Sequence, residues 1–372
     1  MRARLVEVAR REPFLVVAAV AALASCVLRP PDAGYREYVD VRTLTCLFCV
    51  LAVVRALEHT HFFSVLAERI IGVLRTRRSL VLGLVTVTLV TSMLITNDMA
   101  LLTLLPLAAI ALRATGNDDL LAFVFVMETV AANLGGMLTP FGSPQNLYLY
   151  HFYALDPRDF VRIMALPFAV SALLVTAVCL GVRRTPHDPV RFEDRVPRWP
   201  TALHLLLFVA SLGIALRLLP VAAGVVVVAV LLVVDRAALA RVDYGLMATL
   251  ALFFVVAGNL ARLPSVGDVM AELLDRDPLV VSALASQVLS NVPTAILAAP
   301  FTGEHAQLLV GVNVGGVGTV VASLASLITL RQYAALRPGD SGTFLRLFTL
   351  VNVAFLAALL LTTRGAVAAG WL

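Results

Sequence analysis

Long uncharged apolar runs recur along the chain, separated by short segments that carry arginine. Runs of about 18 or more apolar residues match the length of a bilayer-crossing helix. On this pattern spans are predicted at 14–28, 41–57, 160–182, 201–217, 218–235, 243–260 and 343–362, with a turn near Leu219-Pro220. The runs lack the alternation of barrel strands, so the backbone must be satisfied within helices. Two stretches depart from the simple pattern. Residues 79–112 are apolar except at Thr96-Asn97-Asp98, and residues 278–300 are apolar except at Ser290-Asn291. At about 1.5 Å per residue, each arm of the first is short for a comfortable crossing. This predicts re-entrant helical hairpins with tips near mid-membrane. Two further stretches read as broken helices. In 120–155, LLAFVFVMETVAA gives way to Asn133-Leu134-Gly135-Gly136 and then Gly142-Ser143-Pro144-Gln145-Asn146, while 306–330 is interrupted from Asn313 to Thr319. Glycine- and proline-rich steps do not continue a regular helix. Glu58 to Arg78 and 262–276 read as segments at the membrane surface.

Composition strengthens this reading. The 372 residues are 60% hydrophobic and 14% charged, as expected for one all-α polytopic membrane domain without a soluble module. All 29 basic residues are arginine and the net charge is +5. They gather in short loops, so positive-inside topology accounts for the charge and no nucleic-acid partner is expected. With each hairpin returning to its own side, the arginine-bearing loops 58–78, 113–119, 183–200, 236–242 and 331–342 fall inside. The expected location is a cell membrane of the bacterial inner-membrane kind, N-terminus cytoplasmic and C-terminus outside. Loop 183–200, with Arg183, Arg184, Arg191, Arg195 and Arg198, is the most basic and reads as the linker between halves. Arg2, Arg4, Arg10 and Arg11 before FLVVAAVAALASCVL resemble a signal sequence, but an uncleaved first helix fits the topology better. Cys46 and Cys49 form C-x-x-C within an apolar run and read as packing residues. The chain has no phosphate loop, nucleotide fingerprint or catalytic triad pattern, so it does not read as an enzyme and needs no cofactor.

The polar breaks are repeated. ITNDMALLTLLP at 95–106 matches LSNVPTAILAAP at 289–300, each closing on proline nine residues after the asparagine. NLGGMLTPFGS at 133–143 matches NVGGVGTVVAS at 313–323, pairing Asn133, Gly135, Gly136, Thr139 and Ser143 with Asn313, Gly315, Gly316, Thr319 and Ser323. The order is the same in each half. This predicts a first repeat over 1–182, a linker and connecting span over 183–217, and a second repeat over 218–372. The predicted topology makes the repeats inverted, a common plan for secondary transporters with a site near the midplane. A broken helix exposes N–H groups that attract anions, and carbonyls that hold Na⁺ together with Asn and Ser/Thr oxygens.

The segments T-N-D-M-A-L-L-T-L-L-P, N-L-G-G-M-L-T-P-F-G-S-P-Q-N-L, S-N-V-P-T-A-I-L and N-V-G-G-V-G-T resemble the ion transporter superfamily, particularly its citrate-transporter-like permeases. Divalent-anion/sodium symporters of that superfamily carry Ser-Asn-Thr at both tips, whereas the tips here are Thr96-Asn97-Asp98 and Ser290-Asn291-Val292. The Asn-Asp step also resembles arsenite-pump membrane subunits. The resemblance implies a secondary transporter, often dimeric, whose transport domain moves against a scaffold. It implies one Na⁺ site from Thr96, Asn97 and the backbone from Asn133 through Gly135 and Gly136. A second would use Ser290, Asn291 and the backbone from Asn313 through Gly315, Gly316 and Gly318. Ser143, Gln145, Asn146 and Thr319 would line the substrate cavity.

Ionisable residues at membrane depth are functional candidates by default. Asp98 sits at the first tip and Glu128 lies five residues before Asn133, while the second tip has Val292 where the first has Asp98. Asp98 is expected to bind Na⁺ or carry a coupling proton, the alternative being a cap on the returning helix. No arginine occurs in 79–112, 118–157 or 278–330. The expected activity is therefore cation-coupled transport of a small anion, a carboxylate or inorganic oxyanion, with Na⁺ or H⁺. Arsenite/antimonite efflux and Na⁺/H⁺ antiport are the rival readings.

Overall fold

The computed structural model describes residues 13–32, 34–187 and 197–371. Arg2, Arg4, Arg10 and Arg11, and the linker arginines Arg191 and Arg195, lie outside the described residues. Among the described residues there are helices and one isolated bridge, Thr76 to Pro186, but no strand. Seven helical segments among them are long and apolar enough to cross a membrane. The chain is an all-α, multi-pass membrane protein.

The first half runs through α1 (Pro13–Leu28), α2 (Tyr35–Tyr38), α3 (Val41–His59), α4 (Phe62–Ile71), α5 (Arg77–Leu94), α6 (Asn97–Ala114), α7 (Leu121–Gly135), α8 (Pro144–Phe152) and α9 (Pro157–Leu180). The second continues with α10 (Arg198–Ala215), α11 (Ala223–Val234), α12 (Arg236–Ala240), α13 (Tyr244–Ala261), α14 (Pro264–Arg276) and α15 (Pro278–Leu289). It ends with α16 (Asn291–Ala298), α17 (His305–Val314), α18 (Leu324–Leu336) and α19 (Ser341–Ala368). Apolar runs supply the helix bodies and short polar residues set their starts. Asp40, Thr76, Asp156, Asp243, Asp277 and Ser323 each accept a backbone N–H in the first turn of the helix that follows.

Three boundaries differ from the sequence reading. The arms α5 and α6 have 18 residues each, about 27 Å at the helical rise, so arm length by itself does not decide between crossing and re-entry. The arms α15 and α16 have only 12 and 8 residues. The span read at 218–235 has a helix of 12 residues, because a turn carries the chain from Arg217, at φ 63°, past Pro220 before α11 begins. The broken helices part later than their asparagines. Asn133 and Asn313 belong to the last turns of α7 and α17, and the chain leaves the regular helix around Gly136–Ser143 and Gly315–Ser323. The backbone ladder continues past Asn313, with the Gly315 N–H donating to the Gly311 carbonyl at 2.7 Å, and Asn313 Nδ2 also donates to the Leu309 carbonyl at 2.8 Å.

The two halves pack in a matched way. Arm α5 lies against α7, and arm α15 against α17. The returning arms cross over: α6 packs on α18, and α16 packs on α8. Between the halves, the hydroxyls of Thr129 and Thr329 share a buried hydrogen bond of 2.7 Å. Outside this core, α1 runs along α13, where Asn259 Nδ2 donates to Ser25 Oγ at 3.0 Å and to Tyr35 Oη at 2.8 Å.

Candidate functional site

Each tip is pinned by its neighbouring break through the same backbone bond. The Asn97 N–H donates to the Gly142 carbonyl at 3.2 Å, and the Asn291 N–H to the Ala322 carbonyl at 2.9 Å. The threonines of the two breaks also act alike. Thr139 Oγ1 donates to the Met93 carbonyl at 2.7 Å, and Thr319 Oγ1 to the Gln287 carbonyl at 2.8 Å. Met93 and Gln287 coincide when Asn97 is aligned with Asn291.

The tips differ in backbone strain. Thr96 is extended at φ −63° and ψ 148°, whereas Ser290 stands at φ 72° and ψ 153°, a region that is essentially glycine-only. Ser290→Gly should therefore raise stability by about 1 kcal/mol, read as a higher thermal unfolding midpoint in detergent. A lower midpoint would contradict strain at this tip.

Asparagines join the breaks at the centre. Asn97 Nδ2 donates to Asn133 Oδ1 at 2.9 Å, and Asn313 Nδ2 to Asn146 Oδ1 at 2.6 Å. Asn146 Nδ2 in turn reaches the carbonyls of Gly136 at 3.1 Å and Thr139 at 3.2 Å. Gly316 lies between the halves: a Cβ there would meet Asn291 Nδ2 at 3.0 Å and Asn133 Oδ1 at 3.8 Å. The second break has a brace of its own. Gln287 Nε2 donates to the carbonyls of Gly315 and Val317 at 2.8 and 3.1 Å, while its Oε1 accepts the Thr319 N–H at 2.8 Å. Gly318, at φ 125°, makes room for this amide, since a Cβ would fall 2.1 Å from Gln287 Oε1.

A cavity of about 50 Å³ opens between the tips. The starts of five helices line it: Asn97 and Asp98 of α6, Pro144 and Gln145 of α8, the capping Asp243 of α13, Asn291 of α16, and Leu324 of α18. Helix N-termini carry partial positive charge and free N–H groups. No arginine, lysine or histidine is among the residues that line the cavity. Buried oxygens gather here without hydrogen-bond partners in the protein: Asn97 Oδ1, Asp98 Oδ1 and Gln145 Oε1 at the cavity, and Ser143 Oγ and Asn313 Oδ1 in the surrounding breaks. Orphaned buried polar atoms are costly and mark places where water or an ion belongs. This donor set is all oxygen and suits a hard cation such as Na⁺.

Of the residues singled out from sequence, Asn97, Asp98, Gln145, Ser290 and Asn291 meet at this cavity. Thr96, Ser143, Asn146, Asn133 and Asn313 are buried outside its lining, and Thr319 is occupied by Gln287. Asp98 does not cap its helix, since Thr96 holds that position and Asp98 Oδ1 has no partner. Glu128 is fully buried away from the cavity lining and accepts the Thr88 hydroxyl at 3.0 Å. Asp243 and Gln287 were not singled out. Asp243 looks in sequence like a loop-end cap, and Gln287 like one polar residue on an apolar helix.

The matches to known proteins accord with this arrangement. A family model described as citrate transporter matches residues 6–329. The chain belongs to the citrate transporter family. It is a membrane transporter, and the matched region holds both tips, both breaks and every residue lining the cavity. The transporter is 30% identical over 295 residues to an uncharacterized transporter of Methanocaldococcus jannaschii, covering 79% of this chain and 81% of that one. It is 29% identical over 306 residues to the inner membrane protein YbiR of Escherichia coli, covering 79% and 80% of the two chains.

Proposed function

We propose that the transporter moves a small anion, a carboxylate or inorganic oxyanion, together with a coupling cation, Na⁺ or H⁺. The observation that carries this reading is the convergence of five helix starts on a cavity with no basic side chain. Partial positive charge from the helix ends attracts an anion without fixing it permanently. The orphaned oxygens beside them supply the place for the cation, and a co-bound cation offsets the charge of the acids. The matched bonds of the two tips support two repeats around one site, and we take their orientations to be inverted. Asp98 and Asp243 at the cavity also favour a second reading, cation exchange or arsenite efflux, because a cavity with acids and no arginine suits cations or neutral solutes.

Uptake into proteoliposomes separates these readings. With Na⁺ and proton gradients imposed in turn, labelled carboxylates and oxyanions should accumulate only under a cation gradient. Arsenite movement alone, or Na⁺/H⁺ exchange with no anion accumulated, would replace the anion reading. Equilibration without a gradient would show a passive pathway.

A further inference from the structure

We propose that the groove walled by α4, α5 and α10 binds one anionic phospholipid, its phosphate held between Arg69 and Arg198. The inference is independent of which solute or cation the transporter moves.

Two cavities join here. An apolar one of about 600 Å³ lies between α5 and α10, with α4 along its side. A more polar one of about 660 Å³ forms its mouth, and Phe62, Leu66 and Leu205 line both. Along α5 the wall includes Ser79, Leu82, Thr86, Val90 and Leu94. These recur every three or four positions and so form one face of the helix. From Ser79 to Leu94 that face is about 22 Å long at the helical rise. One leaflet of the hydrocarbon core is about 15 Å deep, so the groove is long enough for a whole acyl chain.

The mouth is positive. Arg69 lies in the last turn of α4 and Arg198 opens α10, and both side chains are exposed. No acid lines the mouth, and among the described residues neither arginine makes an ion pair. Helix α10 starts at Pro197 without a side-chain cap, so its first N–H groups add to the positive end. Trp199, 87% exposed, follows Arg198 directly. Tryptophan gathers at the level of the lipid headgroups, which sets the mouth at the height of lipid phosphates. A basic pocket between membrane helices suits an anionic headgroup, and the apolar groove leading from it suits the chain that a free phosphate lacks. The surface cavity at Arg77 differs, because it also holds Asp119, the ion-pair partner of Arg77. A lipid seated in the groove would lie against α5, the arm that ends at the first tip.

The test is native mass spectrometry of the full-length protein in a neutral detergent. Dioleoylphosphatidylglycerol, dioleoylphosphatidylcholine and inorganic phosphate are titrated separately. The wild type should retain one phosphatidylglycerol about tenfold or more tightly than phosphatidylcholine. Arg69→Gln and Arg198→Gln should each weaken phosphatidylglycerol about fivefold, and the double variant should lose the preference. Both arginines are exposed, so thermal unfolding midpoints in detergent alone should match the wild type. Val90→Trp, which fills the groove, should weaken both lipids. Equal retention of the two lipids by the wild type, or an undiminished preference in the double variant, would overturn the proposal. So would displacement of phosphatidylglycerol by an equal concentration of inorganic phosphate, which would make the mouth a site for free anions. A wild-type dimer that binds no lipid and dissociates in Val90→Trp would make the groove an interface between copies and overturn it too.

Discussion

Valine in place of Gly135 or Gly315 should abolish transport and cost about 3 kcal/mol of stability, the upper end of the usual range for overpacking. A Cβ on Gly135 would fall 2.3 Å from both the Leu89 carbonyl oxygen and Ser92 Oγ. On Gly315 it would fall 2.8 Å from Ala283 Cα and Ser286 Cβ. Leu89 and Ser92 coincide with Ala283 and Ser286 when the tips are aligned, so one close helix approach is built twice. Backbone lies on the far side of both contacts and has nowhere to retreat. The branched side chain must push α5 from α7, or α15 from α17, and so displace the adjoining tip. Thermal unfolding in detergent together with uptake into proteoliposomes checks this. Gly342→Ala, where a Cβ meets nothing within 4 Å, provides the control with normal stability and uptake. A Gly135→Val protein with a wild-type midpoint would refute the close approach.

Asn97→Ala and Asn291→Ala should each lower the apparent affinity for the coupling cation or substrate by about 5- to 150-fold. That range corresponds to about 1–3 kcal/mol for a buried polar group left without its partner. Asn97→Ala strips Asn133 Oδ1 of its donor, and Asn291→Ala strips the Val292 N–H of its 2.9 Å acceptor. The two deletions act on opposite halves of the core, so similar losses in both would show that the tips serve one site. Concentration-dependent uptake under an imposed ion gradient provides the measure. Undiminished uptake in both variants would remove the tips from the transport pathway.

The membrane spans and the positions of the tips were legible in the sequence because apolar length and polar interruption are local signals. The cores of α1, α3, α9, α13 and α19 fall where the runs of uncharged residues predict them. The pairing of Asn97 with Asn291 could also be read directly, since the motifs recur in order. Exact breaks were less legible. A glycine pair reads as a helix break, yet Gly135 is still helical and is glycine because a neighbouring backbone approaches it too closely for any side chain. Asp243 was hidden for a different reason. Capping α13 explains an aspartate at that position completely, and only the folded chain places it across a cavity from Asp98. Gln287 was likewise invisible, because what it braces lies in another segment, between Gly315 and Thr319.

The crossing of the returning arms carries an evolutionary corollary. Arm α6 is covered by α18, and α16 by α8, so each half supplies the partner surface that the other half lacks. An ancestral chain of half this length would have kept α6 on α5 and α7, or α16 on α15 and α17, but left the far face of that arm and the half-helix uncovered. Two copies exchanging those surfaces would have covered both. If the halves arose by duplication, that event joined an interface that already existed and left the copies free to diverge. The acid at Asp98 opposite valine at Val292, and the glutamine brace found only at the second break, are the kind of differences that a homodimer of identical halves could never have kept.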